Sequence, residues 1–183
     1  TTVNAGTLSI TDNAALGSTA GATTINGGNG TNSVILNLSG ATSDLTIAEP
    51  LNFFGTTTGR ARLSNDSARN HTLSGPINVS SNTNLVQFYS DGSGSVTVSG
   101  DISGTMTNGA IFAIRGTSTS ANNKLTGNIS LVGNISKTDA GTWLVGAPGK
   151  TYSWTDTVVA AGTLKMGLAN VLPSTTALVL GNP

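Results

Sequence analysis

Leu73-Ser74-Gly75-Pro76-Ile77, Val98-Ser99-Gly100-Asp101-Ile102 and Leu125-Thr126-Gly127-Asn128-Ile129 write one pattern three times: aliphatic, hydroxyl, Gly, any residue, Ile. Working outward from these, a shorter signature recurs along the chain as Val3-Asn4, Ile25-Asn26, Leu51-Asn52, Ile77-Asn78, Ile102-Ser103 and Ile129-Ser130. Its successive steps are 22, 26, 26, 25 and 27 residues. A near-constant interval of this size marks a repeat architecture. The segments between alternate apolar and polar residues with period two and are rich in Thr, Val and Ile, which favours strands. A unit of about 25 residues built from two or three short strands is the size of one coil of a β-solenoid.

Stacking such coils puts equivalent residues above one another at roughly 4.8 Å. Val3, Ile25, Leu51, Ile77, Ile102 and Ile129 are therefore expected to form one aliphatic column inside the solenoid. Their neighbours Asn4, Asn26, Asn52, Asn78, Ser103 and Ser130 are expected to form a polar ladder. Either that ladder satisfies its own amides and hydroxyls along the axis in the interior, or it faces solvent at a turn, since strand neighbours point to opposite faces.

Composition agrees. The chain has 24 Gly, only 9% charged residues, a single Glu (Glu49), a single Gln (Gln87) and four lysines, so the usual helix formers are missing. Short apolar alternations along its length argue against disorder. Eight basic and eight acidic residues are scattered singly, which leaves no footprint for nucleic acid or an anionic membrane. No apolar run is long enough for a spanning helix, and no signal segment opens the chain, so any export signal or anchor is expected outside it. Cysteine is absent, which removes disulfides and thiolate metal sites and is compatible with export.

Gly27-Gly28-Asn29-Gly30, Asp91-Gly92-Ser93-Gly94 and Thr117-Ser118-Thr119-Ser120 fall between the recurring signatures, where coil corners and loops belong. Their spacing follows the coil repeat, so residues 1–183 are read as a single continuous solenoid of about seven coils. Register is least regular over 30–70.

Little in the sequence points to chemistry. His71 is the single histidine, with Asp66 the nearest acid, and beside Arg69 and Asn70 it reads as a solvated loop residue and not as part of a triad. Asp66 and Asp91, 25 residues apart, are expected on adjacent coils as turn residues rather than as a glycosidase pair. No His or Cys cluster suggests a transition metal, Gly27 to Gly30 lacks the Asp of a calcium repeat, and no cofactor is expected. Sequons such as Asn65-Asp66-Ser67 and Asn128-Ile129-Ser130 are expected by chance in this composition. Trp143, Tyr152 and Trp154 could form an exposed sugar-stacking platform, but at least one of them is expected to pack within a coil or a subunit contact instead.

The C-terminal third adds a resemblance. Ile135-Ser136-Lys137-Thr138-Asp139-Ala140-Gly141-Thr142-Trp143-Leu144-Val145-Gly146 resembles the opening half of the autotransporter-associated β-strand repeat, also called the passenger-associated transport repeat. Thr151-Tyr152 through Val158-Val159-Ala160-Ala161-Gly162-Thr163-Leu164 resembles its second half, with Trp154 where a small residue is usual, and Asn170-Val171-Leu172-Pro173 resembles its trailer. The motif residues are Lys137, Gly141, Thr142, Leu144, Tyr152, Gly162, Thr163 and Leu164. Thr1 to Leu8 and Asn13 to Gly17 resemble the second half and trailer again, so equivalent coils are expected at both ends. The resemblance implies a right-handed parallel β-helix, secreted or displayed on a bacterial surface, without catalytic residues, and the usual hand of parallel crossovers agrees. The expected role is a stalk or filament body that stacks end to end with itself or with adjoining repeats. The alternative is an adhesin shaft with a glycan ligand, and behind it a polysaccharide-cleaving β-helix.

Overall fold

The structure, a computed structural model, describes residues 1–28 and 33–181. Among these residues there is no helix; the chain is all β and winds as a solenoid with three faces, each a wholly parallel sheet.

The first sheet stacks β1 (Thr2–Val3), β3 (Thr23–Asn26), β6 (Leu51–Gly55), β9 (Ile77–Ser81), β12 (Ile102–Thr105), β15 (Ile129–Val132) and β18 (Tyr152–Ser153). The second stacks β2 (Thr7–Ser9), β4 (Ser33–Asn37), β7 (Arg60–Asn65), β10 (Leu85–Ser90), β13 (Ile111–Arg115), β16 (Asn134–Lys137), β19 (Asp156–Val159) and β21 (Ala177–Leu180). The third stacks β5 (Thr46–Ile47), β8 (Asn70–Leu73), β11 (Ser95–Val98), β14 (Lys124–Leu125), β17 (Thr142–Val145) and β20 (Thr163–Met166). From β3 to β20 the chain visits the faces in the order first, second, third, so each coil hydrogen-bonds only to the coils before and after it. Over that span each crossover passes over the other two faces, and the long return makes the pairings parallel.

Period-two alternation fills the interior. Inward positions of the second sheet run Leu8, Leu36, Leu63, Phe88, Ile114, Lys137, Val159 and Leu180. Those of the third run Ile47, Leu73, Val98, Leu125, Val145 and Met166. Phe53, Phe88 and Phe112 fill the centre edge to face, with ring centroids 5.1 and 5.0 Å apart. Such pairs add about 0.5–1.5 kcal/mol each beyond the area they bury.

The thrice-written motif is the corner between the third and first sheets. Ser74, Ser99 and Thr126 each return a backbone N–H, at 2.7–2.9 Å, to the carbonyl of the last inward aliphatic residue one coil earlier: Ile47, Leu73 and Val98. Their hydroxyls donate to the same carbonyls at 3.3, 3.4 and 3.3 Å. The glycine follows because the coils touch there. A Cβ on Gly100 would stand 1.8 Å from the Gly75 carbonyl oxygen, and one on Gly127 would stand 2.1 Å from that of Gly100.

Candidate functional site: coil stacking and the Lys137 corner

For a protein built of stacked coils the candidate site is the stacking itself, and the predicted column falls into two. Leu51, Ile77, Ile102 and Ile129 stand in register, capped by Thr23 at one end and Tyr152 at the other. Val3 and Ile25 pair with each other but continue into Phe53 and Val79. The expected step from Ile25 to Leu51 is thus corrected by two residues. A slip of two keeps every side chain on its own face, so alternation alone does not detect it. Placing Phe53 over Ile25 puts that ring against Phe88, and packing fixes the choice.

The polar ladder divides in the same way. It occupies the outward side of the first sheet, the solvent-facing alternative. Asn26 donates to Asn4 at 3.1 Å, but its next neighbour is Phe54. Asn52 stands between Thr24, to which it donates at 3.3 Å, and Asn78; Ser103 and Ser130 follow.

The motif residues other than Tyr152 gather at and just after one corner, between the second and third sheets. Lys137 ends β16 pointing inward, in register with Ile114 before it and Val159 after it, and is fully buried. Its ammonium curls back over the turn and donates to the carbonyls of Thr138, Asp139 at 2.7 Å and Ala161 at 3.3 Å. Burial pushes the pKa of this group down to about 8; Asp139 works against that fall and Arg115 adds to it. Gly162 leaves the space: a Cβ there, where φ is +71°, would meet the Asp139 carbonyl oxygen at 2.3 Å and the Lys137 Nζ at 2.7 Å, while one on Gly141 would meet the Ser118 and Gly116 carbonyl oxygens of the coil before at 2.5 and 2.6 Å. Thr142 and Thr163 then start adjacent strands of the third sheet, with Trp143 over Leu164 and Leu144 outward beside Lys165. Trp143 is fully buried, its Nε1 donating to the Arg115 carbonyl at 2.9 Å. Arg115 grips Asp139 in a bidentate pair, Nε donating to Oδ2 at 3.2 Å and Nη2 to Oδ1 at 3.1 Å. Burial raises the Asp139 carboxyl, but the Arg115 guanidinium and the Gly116 N–H outweigh it and hold it below the usual range. Tyr152 closes its own turn, its hydroxyl accepting from the Ala147 N–H at 2.7 Å.

Two expectations are corrected here. His71 is not a solvated loop residue: it lies fully buried on β8, inward beside Val96, with Nδ1 accepting from the Leu45 N–H at 3.1 Å. The signal was present, because His71 sits two residues before the inward Leu73. Burial lowers its pKa, against Asp44 and together with Arg69. Of the two readings of the aromatic group, packing is the one seen: Trp143 and Trp154 are both buried, and Trp154 donates to the Thr157 hydroxyl at 2.7 Å. The motif copies at Gly6 and Gly162 share a left-handed glycine, φ +75° and +71°, yet open different corners, the first to second sheet and the second to third. Equivalent sequence therefore does not stand on the same face at the two ends.

Of the remaining candidates, Asp91 accepts from the Thr117 N–H at 3.1 Å and lies 3.7 Å from Arg62, whose guanidinium covers the Tyr89 ring at 3.6 Å. The Asp66 N–H donates to Ser39 at 3.0 Å, one coil earlier. Asn65 of the first sequon is buried, donating to the Arg69 and Ser95 carbonyls. The glycine-rich segment at Gly27 runs into residues 29 and 30, which lie outside the described residues. Among the described residues no three His, Cys, Asp or Glu side chains gather to hold a metal ion, and no helix is long and apolar enough to cross a membrane. Compared with known proteins, the chain matches no family model, no curated protein and no solved structure.

Proposed function

We propose that the chain is a rigid structural segment, a stalk or filament body, of a secreted or surface-displayed protein, and that it has no catalytic role. One observation carries the reading: three parallel sheets pass from coil to coil without any of them closing on itself. Among the described residues β1 and β2 bear no strand on one side, and β20 and β21 none on the other. Among the described residues nothing covers the inward columns past β21, where Leu178 and Leu180 are half or more exposed over an apolar hollow also lined by Leu164, Met166 and Leu172. Unpaired edges of this kind accept further strands. Added coils, from a second copy or from adjoining repeats, bury the hollow and lengthen the rod, and contacts that do not close produce filaments. The extracellular setting rests on the cysteine-free sequence and on the likeness to the passenger repeat.

Electron microscopy and sedimentation of the purified chain test this. At a rung spacing of roughly 4.8 Å, seven coils span about 34 Å. Rods of constant width and of lengths in multiples of that span are expected as concentration rises. Monomers of one length at every concentration overturn self-assembly, and hydrolysis of a polysaccharide overturns the non-catalytic assignment.

A further inference from the structure

On the outward side of the first sheet, β3, β6, β9, β12 and β15 carry no charged side chain. One aromatic ring stands among these hydroxyls and amides: Phe54, in register with Asn26 on one side and Ser80 on the other. The other rings are engaged. Phe53, Phe88 and Phe112 fill the interior, Trp143 and Trp154 are buried, Tyr89 lies under Arg62, and the Tyr152 hydroxyl is tied to its own turn. Phe54 borders an open depression of about 380 Å³ rimmed by Thr57, Ser80, Asn82 and Thr105.

Two backbone features keep the depression open. Gly55 continues β6 where a Cβ would stand 2.5 Å from the Ser81 hydroxyl. Beyond it the ladder between β9 and β12 lapses between Asn78 beside Ser103 and Ser81 beside Met106. Gly104 turns there with φ +149°, and the Thr105 N–H donates to the Ser80 hydroxyl at 3.3 Å.

We propose that this depression binds one residue of a neutral saccharide chain, its C–H face against the Phe54 ring and its hydroxyls on the rim side chains. The assignment follows from the lining: an aromatic surface for the apolar side of a sugar, convergent uncharged donors and acceptors for its edge, and no charge to select a uronate or a sulfate. Sugar binding at this lateral position stands independently of end-to-end assembly, so either can fail alone.

The test is retention of the chain on an array of neutral hexose and N-acetylhexosamine oligomers beside uronate and sulfated ones, with Phe54→Leu and Asn82→Ala as variants. Retention on neutral oligomers is expected, about tenfold weaker in Phe54→Leu at an unchanged thermal midpoint, consistent with the loss of an aromatic contact. Asn82 is exposed on a turn, so its variant reads the rim should the Leu variant fold poorly. Retention by charged oligomers alone, by none, or equally by wild type and both variants overturns the proposal.

Discussion

The Lys137 ammonium reaches the Ala161 carbonyl oxygen at 3.3 Å, tying two successive coils through a side chain that shares its column with Ile114 and Val159. In that position the lysine serves as a fixed donor for carbonyls that the turn has drawn away from any strand.

Replacing Lys137 by Met fills the same volume and strands those carbonyls, at an expected cost of about 1–3 kcal/mol in urea unfolding. The pH dependence has a definite sign. The folded-state pKa of about 8 lies below the ordinary 10.5, so between these values the unfolded chain holds a proton that the folded chain has released. Stability contributed by this group therefore rises with pH from about 8 upward. The Met variant should lose that rise; an identical slope in both proteins shows that another group is responsible.

His71 should produce an acid-side weakness. Its pKa is lowered below the ordinary 6.5, so the folded chain keeps it neutral while the unfolded chain protonates. Stability is fully present above 6.5 and falls as pH drops below it. His71→Asn retains a polar side chain without the titration, and its unfolding midpoint should fall less between pH 7 and pH 5 than that of the wild type.

Gly100→Ala should destabilise by about 1–3 kcal/mol or abolish folding, because its methyl meets the carbonyl oxygen of Gly75 and neither backbone can retreat without opening the corner. Gly21→Ala is the control, with its nearest atom 4.0 Å away and an expected change within about 0.5 kcal/mol. Equal midpoints for the two variants contradict the stacked-corner geometry.

The sequence by itself determined the coil length, the parallel stacking and the run from Leu51 to Ile129, because a solenoid repeats one environment at one interval and each coil must bury residues of the same kind there. It also held the inward placement of His71 and Lys137, two residues from Leu73 and Ile135, though their polarity masks it. What only the tertiary structure decided was the register of the first coils, the face on which each motif copy falls, and the carbonyls and N–H groups that His71 and Lys137 serve. Alternation is unchanged by a slip of two residues, so the contact of Phe53 with Phe88 settles the register. The corner carbonyls become available only once the chain has turned, and a buried polar side chain is tolerable only where such partners wait for it.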